Sequence, residues 1–159
     1  IAPRVLDLGE VIGQMEKKFN VKTLALQLPL GSEDQFAGVI DLISRRAYRY
    51  NGDLLGSEFS EETVSGEAAE EMEVYREHLV ERIAGLDLEV MEQVVEEREP
   101  SEELLLQAIR RITLEGAGVP VLMGSSFKNK GVQPLLDAIV RFLPSPLEGE
   151  GLGVRGKFG

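Results

Sequence analysis

The sequence predicts a mixed fold of the α/β class with some α+β character, and three stretches carry this prediction. The apolar run at 119–123 ends at Gly124, passes through a polar loop and leads into a helical pattern near Val132, which is typical of a buried central parallel strand and its helix. Residues 36–59 hold short β-favouring runs around a turn signal. Residues 66–115 carry apolar side chains at helical spacing. We therefore expect a parallel strand–helix unit, a small antiparallel sheet and several helices.

The composition is that of an ordinary soluble globular protein, with 43% hydrophobic and 28% charged residues in a chain of 159. This length can bury a real core in one domain, or in one and a half small ones. No run approaches the roughly 20 apolar residues that a membrane span needs, and no signal-peptide pattern opens the chain. The absence of cysteine excludes disulfides and thiolate metal sites and fits a reducing compartment. The net charge of −11 argues against broad binding to phosphate backbones.

The first part of the chain is expected to contain a helix, a strand and a hairpin. Apolar residues at steps of three and four predict the helix, and alternation predicts the strand. Asn51-Gly52-Asp53 is a turn signal that would fold a hairpin back on itself. The predicted elements are a helix at 4–19, a strand from Thr23 to Leu28, two β-favouring runs at Val39–Ile43 and Ala47–Tyr50, and a return strand at 54–59.

The later part of the chain is acidic and helical. Residues 58–103 contain 17 Asp and Glu against three basic residues, which is a local net charge of −14. Helices are predicted at 66–84, at 88–95 and from Ser101, whose side chain is a plausible N-cap. A last helix follows Gly131, with Pro134 in its first turn, where the missing N–H costs little. Its predicted apolar face consists of Val132, Leu135, Leu136, Ile139 and Leu143.

Three groups of polar side chains admit a chemical role but fit a structural one better. The carboxylates of 58–71 lack the alternating ligands and turn glycine of a calcium loop, so we expect solvated helix faces. His78 has no serine or cysteine partner in view and is expected to be a surface or packing residue. A basic group near the hairpin can form a phosphate patch, but the solvated face of a sheet is the favoured interpretation; its members are Lys22, Arg45, Arg46 and Arg49. No catalytic residue and no metal ligand is predicted.

The loop after the 119–123 run is distinctive in its exact residues rather than in its physical character. On its own, a strand, a Gly-Ser-Ser loop and a helix most often form a plain connection. The chain nevertheless closely resembles elongation factor G and its ribosome-recycling relatives, the large translational GTPases. The resemblance is carried by Gly124–Gln133, by Leu-Leu-Asp-Ala-Ile at 135–139, by Leu-Pro-Ser-Pro at 143–146, and by two earlier blocks at 26–31 and 38–43 in the same order.

The resemblance implies a nucleotide contact in this loop. In the family it is the last guanine-nucleotide motif, a Ser-Ala-Phe loop whose backbone amide contacts the guanine carbonyl oxygen. Ser125 and Phe127 match the motif, and Ser126 replaces its alanine. A backbone contact survives this exchange. The predicted GTP-binding residues are therefore Ser125, Ser126 and Phe127, with GTP and Mg bound by the intact family protein.

The same resemblance also predicts how the chain is divided into domains. It implies a partial GTP-binding core, the remnant of a P-loop GTPase core, at 1–30 and 116–146, and an inserted subdomain at 31–115. The Gly-rich stretch at 147–159 is expected to be a disordered tail, because it does not resemble the barrel domain that follows in the family. The chain opens on Ile1 rather than Met, as expected of a fragment or a processed chain.

The motifs that would grip a triphosphate are missing from the sequence. No Gly-rich loop ending in Lys-Ser/Thr is present, the family's switch segments and catalytic histidine lie upstream, and Ile1–Arg4 does not match the base-specificity motif. A few hydrogen bonds at roughly 0.5–1.5 kcal/mol each do not offset the several kcal/mol that association costs. The chain alone is predicted neither to bind GTP tightly nor to hydrolyse it.

Two functions are compatible with these observations. The leading one is a fragment of an elongation factor G-like GTPase that drives ribosomal translocation or, in the recycling branch, subunit release. The alternative is a non-catalytic module that docks on the ribosomal stalk protein through the acidic helices of 66–115. An unrelated acidic α/β protein is disfavoured, because separated blocks match in order. The expected partners are the ribosome, its stalk protein and GTP, with no membrane and no sequence-specific nucleic acid; the expected location is the cytoplasm, with an organelle as the alternative.

Overall fold

The computed structural model describes residues 8–30, 36–50, 59–124 and 131–144. Within these ranges the chain forms five helices and six strands. The helices are α1 (Leu8–Phe19), α2 (Glu67–Ala84), α3 (Leu88–Val95), α4 (Glu102–Leu114) and α5 (Val132–Phe142). The strands are β1 (Thr23–Ala25), β2 (Gln27–Leu30), β3 (Gly38–Asp41), β4 (Arg46–Tyr50), β5 (Phe59–Thr63) and β6 (Val119–Val121).

The strands form two sheets of different kinds. β1 and β6 pair in parallel, and the other four form an antiparallel sheet in the order β2-β3-β4-β5. The predicted mixture of a parallel unit and a small antiparallel sheet is therefore confirmed. The return strand predicted at 54–59 lies later in the chain, since β5 begins at Phe59 and pairs with β4, and residues 54–58 lie outside the described residues. The turn at 51–53 and the tail at 147–159 lie outside the described residues.

The single strand predicted from Thr23 to Leu28 is wrong, because the chain changes sheets in its middle. Leu26 donates its N–H to the carbonyl oxygen of Val121 at 3.0 Å and accepts the N–H of Leu42 at 2.9 Å. Its backbone therefore bonds to the parallel pair on one side and to the hairpin on the other. Leu24, Leu26 and Leu28 are all buried. The alternation in the sequence continues across the crossing and cannot reveal it.

The run predicted at Val39–Ile43 ends earlier as a strand, at Asp41. The Oδ1 atom of Asp41 accepts the N–H groups of Ile43 at 2.7 Å and Ser44 at 3.2 Å. These bonds satisfy the two amides without a strand partner, so a turn replaces the ladder. Arg45 completes the turn with a φ of 59°. Burial raises the pKa of the Asp41 carboxyl.

The core lies where α2 and α4 cover the strands. The apolar stripes of these helices are confirmed. The stripe residues that are buried are Met72, Leu79 and Ile83 of α2 and Leu105, Ala108, Ile109 and Ile112 of α4, and Ala68 and Tyr75 of α2 are half-buried against the core. Full burial of a Leu or Ile side chain stabilises the fold by about 1.5–3 kcal/mol. The largest fully buried apolar side chains include Leu24, Leu42, Ile83, Leu105, Ile109 and Ile112. The start of α4 follows local chemistry, since Ser101 caps this helix as predicted and accepts the N–H of Leu104 at 3.2 Å.

A buried arginine links α2 to the antiparallel sheet. Arg76 is only 4% exposed, and its guanidinium donates to the carbonyl oxygens of Leu42 at 2.5 Å and Ile43 at 2.9 Å. It also reaches the carboxylate of Glu99 at 3.4 Å. The two carbonyls belong to the turn between β3 and β4, whose backbone has left the sheet ladder. Arg76 therefore satisfies buried polar groups that would otherwise be unpaired.

Replacing Arg76 with Ala should lower the free energy of unfolding by about 2–4 kcal/mol, because two buried carbonyls lose their donor and a cavity remains. Urea unfolding followed by circular dichroism measures this change. Arg98→Ala is the matched control, since Arg98 is well exposed and, among the residues that the structure describes, pairs only with Glu96 on the surface. The control should change stability by no more than about 0.5 kcal/mol. Equal losses in both variants would contradict the role given to Arg76.

Candidate functional site

The predicted guanine contacts Ser125, Ser126 and Phe127 lie outside the described residues. The structure describes the frame on either side of them. β6 and the residues up to Gly124 precede the loop, and Gly131 and α5 follow it. These flanking residues show where the two ends of the loop lie in the fold.

The strand before the loop lies beside β1 and runs parallel to it. Thr23 is opposite Val119, and Ala25 is opposite Val121. The prediction of a buried central strand is wrong, however, since β6 has only three residues and Val119 is 39% exposed. Within the described part of the chain β6 pairs only with β1. Pro120 is tolerated because its nitrogen faces the other edge.

The two ends of the loop meet at the carboxyl end of β6. The side-chain Oε1 atom of Gln27 accepts the N–H of Met123 at 2.9 Å and fixes the chain just after the strand. Gly131 has a φ of 83°, and a Cβ atom there would lie 2.7 Å from the carbonyl oxygen of Met123 and 2.8 Å from Cα of Gly124. Only glycine fits this close approach. The residues on either side of the loop are therefore held close together, at the sheet edge where open α/β folds bind ligands.

The helix after the loop has the predicted apolar face, but that face points outward. Only Phe142 of α5 is buried, with Ala138 half-buried beside it. The exposed apolar residues include Val132, Leu135, Leu136, Ile139, Val140 and Leu143. Arg110 of α4 holds the end of the helix by donating to the carbonyl oxygen of Arg141 at 2.8 Å.

A polar cluster ties α1, β1 and α2 together. The carboxylate of Glu16 accepts the N–H of Thr23 at 3.0 Å and its hydroxyl at 2.8 Å, and it also pairs with Arg82. Arg82 donates in turn to the carbonyl oxygen of Thr23 at 2.8 Å. The hydrogen bond from Arg82, followed by those from Thr23, lowers the pKa of Glu16 from 4.5 to about 2.

The basic residues near the hairpin are engaged by carboxylates. Arg45 contacts Glu73 at 2.8 Å and Glu99 at 2.5 Å. Arg49 contacts Glu62 at 3.1 Å, and Arg46 contacts Glu61. These arginines are exposed, but they do not share the one sheet face favoured from the sequence, since Arg46 and Arg49 lie three residues apart on β4 and project from opposite faces. Carboxylates of β5, of α2 and of Glu99 pair with them. This arrangement leaves little free positive charge for a phosphate.

The surface of α2 and α3 is rich in exposed carboxylates. The exposed carboxylates of α2 include Glu70, Glu71 and Glu77, which form no ion pair among the described residues. His78 lies on the same surface with its side chain 72% exposed, 3.8 Å from Glu81. It is a surface residue, as expected.

Sequence reasoning missed three of the residues that position these features. Arg76 lies on the α2 stripe four residues after Met72, and an arginine on an apolar stripe is a signal that was available. Glu16 and Gln27 carried no such signal, because their partners Thr23, Arg82 and Met123 lie on other elements. Their roles depend on tertiary contacts that a local pattern does not encode.

The described ranges hold neither a metal cluster nor a membrane helix. No group of three or more His, Asp or Glu side chains there is placed to hold a metal ion. None of the five helices has the length and apolar character needed to cross a membrane.

β1 and β6 form a parallel pair, and a loop and α5 follow β6. The antiparallel sheet and the acidic helices lie between these two strands in the sequence. This arrangement makes the chain an α/β fragment of a GTPase-related fold. No family model matches the chain. Elongation factor G from Granulibacter bethesdensis is 39% identical to it over 153 residues, which is 96% of this chain and 22% of that protein. The chain therefore belongs to the elongation factor G family.

The structural comparison agrees with the sequence comparison. A crystal structure of a protein from Thermus thermophilus matches with a TM-score of 0.75 and 30% sequence identity, over 91% of this chain and 21% of that chain. The chain thus spans about a fifth of the length of the proteins that it matches. Its fold is that of the corresponding segment in the solved structure.

Replacing Glu16 with Gln should lower the free energy of unfolding at pH 7 by about 1–2 kcal/mol, since charge-assisted hydrogen bonds are lost while the partial exposure of Arg82 limits the effect. The pKa of Glu16 is lowered in the folded state, so its contribution is full above about pH 4.5 and declines as the pH falls towards 2. Urea unfolding of both proteins at pH 7 and pH 3 tests this. A difference between them that stays constant or grows on acidification would contradict it.

Proposed function

We propose that the chain is a segment of a translational GTPase that works on the ribosome. The observation that supports this most strongly is the 39% identity to elongation factor G over 96% of the chain. The intact protein would bind GTP with Mg and use its hydrolysis for translocation or, in the recycling branch, for subunit release. Its place would be the cytoplasm, where such a factor meets the ribosome.

Within this function, the loop at 125–127 supplies backbone contacts to the guanine base. Three features of its frame support this role. The loop follows a strand that lies parallel to β1, it begins where Gln27 holds Met123, and it closes on itself at Gly131. Backbone amides at the carboxyl end of a parallel strand can approach a flat ligand closely. Ser125, Ser126 and Phe127 are the residues assigned to this contact.

The chain alone is proposed to lack GTPase activity. Its sequence has no phosphate-binding loop, so the β- and γ-phosphates and the metal ion would find no cradle. The guanine loop by itself offers only a few hydrogen bonds, too little to offset the loss of ligand freedom. Catalysis would therefore belong to the intact protein.

Titration of the isolated chain with GTP and magnesium, followed by calorimetry, should show no binding with a Kd below about 1 mM. Elongation factor G from Granulibacter bethesdensis, titrated in the same buffer, controls for the activity of the nucleotide. A micromolar Kd for the chain would contradict the proposal, because it would require phosphate contacts that this sequence does not supply.

A second role, docking on the ribosomal stalk protein, is favoured by the charge distribution. Residues 58–103 carry a net charge of −14, and Glu70, Glu71 and Glu77 of α2 form no ion pair within the described ranges. Such a surface complements a protein with basic helices and repels nucleic acid. The same segment can serve this role whether or not nucleotide is bound.

Reversing the charge of Glu70, Glu71 and Glu77 to Lys should weaken binding to purified ribosomal stalk protein by about tenfold or more at low salt, because the attraction becomes repulsion. Surface plasmon resonance at two salt concentrations measures the change. The matched control reverses three exposed carboxylates elsewhere, Glu10, Glu115 and Asp137, and should leave the affinity nearly unchanged. Equal weakening by both triple variants would show that only net charge matters, and unchanged affinity in the first would remove the docking role.

A further inference from the structure

A cavity lies between the antiparallel sheet and α5. Its volume is about 260 Å³, slightly below the roughly 300–1,000 Å³ of a pocket for a drug-sized ligand. The apolar side chains that line it include Leu106, Leu122 and Phe142. The cavity therefore suits a small molecule with an apolar body.

One side of the cavity is a diagonal row of side chains across the sheet. Each strand contributes one lining residue, in the order Gln27, Asp41, Tyr48 and Phe59. Gln27 is opposite Asp41 in the ladder, and Tyr48 lies two positions after Arg46, which is also opposite Asp41. Diagonal neighbours of this kind project from the same face and are within reach of each other. The rings of Tyr48 and Phe59 meet edge to face with their centroids 5.5 Å apart, so the row places a carboxyl group beside aromatic surface.

The carboxyl group in this row is partly buried and has no cationic partner among the described residues. Its Oδ1 atom accepts two N–H groups of the turn after β3, and burial raises the pKa of Asp41. Arg46 is opposite Asp41 in the ladder but pairs with Glu61 instead. A positive group in the cavity would therefore offset the cost of burying the Asp41 carboxylate.

The other side of the cavity is formed by α5. Gln133, Asp137 and Arg141 follow one another at steps of four along this helix and line the cavity. The carboxylate of Asp137 accepts the side-chain amide of Gln133 at 3.1 Å and forms no ion pair within the described part of the chain. The charged groups of the lining are thus Asp41 and Asp137 against Arg141, so that one positive charge on a ligand balances them.

We propose that this cavity binds a small organic cation, an ammonium group carried on a short apolar or aromatic body. The ammonium group pairs with Asp41, and Asp137 supplies a second carboxylate from α5. The body of the ligand packs on the rings of Tyr48 and Phe59, since aromatic faces attract a neighbouring cation as well as apolar surface. The residues assigned to the guanine contact do not belong to this site, so the inference is independent of the proposed nucleotide contact.

The test titrates the full chain with 2-phenylethylammonium and follows binding by calorimetry. 2-Phenylethanol, which has the same body without the charge, is the matched control ligand. Asp41→Asn removes the charge and keeps the oxygen atom that accepts the two N–H groups of the turn. Asp137→Asn changes an exposed residue of the lining, so it tests the site even if Asp41→Asn fails to fold. Glu115→Gln is the matched control variant, because it removes an exposed charge outside the cavity.

The unmodified chain should bind 2-phenylethylammonium with a Kd of about 0.1–1 mM and 2-phenylethanol at least about tenfold more weakly. Asp41→Asn should weaken binding of the amine about tenfold and Asp137→Asn about threefold, while Glu115→Gln should change it less than about twofold. Equal affinity for the amine and the alcohol would overturn the assignment to a cation. The inference is also overturned if Asp41→Asn and Asp137→Asn weaken binding no more than Glu115→Gln does, or if the amine shows no saturable binding up to about 10 mM.

Discussion

The backbone of Leu26 is the constraint on which the arrangement of the chain depends. Its N–H donates to β6, and its carbonyl oxygen accepts a hydrogen bond from the segment after β3. One residue therefore joins the parallel pair to the antiparallel sheet. The parallel pair fixes where the loop after β6 begins. The antiparallel sheet, by contrast, sets the surface on which α2 rests. The residues that flank the loop at 125–130 and the acidic surface of α2 and α3 thus belong to one short chain with a shared core.

The acidic surface is shaped by the arginines beneath it as much as by its glutamates. Arg76 is buried and holds the carbonyls of the β3–β4 turn, which places Arg45 against Glu73 and Glu99. Burial lowers the pKa of Arg76, whereas the hydrogen bond to Glu73 raises that of Arg45. The outcome is an uneven surface, neutral near the sheet and negative along the outer edge of α2. Unevenness of this kind gives a partner an orientation as well as an attraction.

Local sequence patterns predicted where helices and strands begin and end better than they predicted which of their faces are buried. Apolar spacing gave α2, α3 and α4 nearly to their ends, and Ser101 was recognisable as a cap, because these features depend on neighbours within four residues. The change of sheets at Leu26 was missed, since its side chain is buried on either side of the crossing. The exposure of β6 and α5 was also missed, because it depends on which elements lie next to them. The guanine contacts at 125–127 are predicted from resemblance alone, and the ends of that loop are held by Gly131 and Gln27, whose partners are distant in sequence or set by tertiary contact.

The outward apolar face of α5 has a consequence for the behaviour of this chain in solution. At neutral pH the net charge of −11 keeps separate molecules apart. The isoelectric point lies near pH 4.6, where that mutual repulsion vanishes while the leucines and valines of α5 stay uncovered. Mild acid should therefore precipitate the chain at a pH where the hydrogen bonds of Glu16 still stabilise the fold, so that aggregation precedes unfolding.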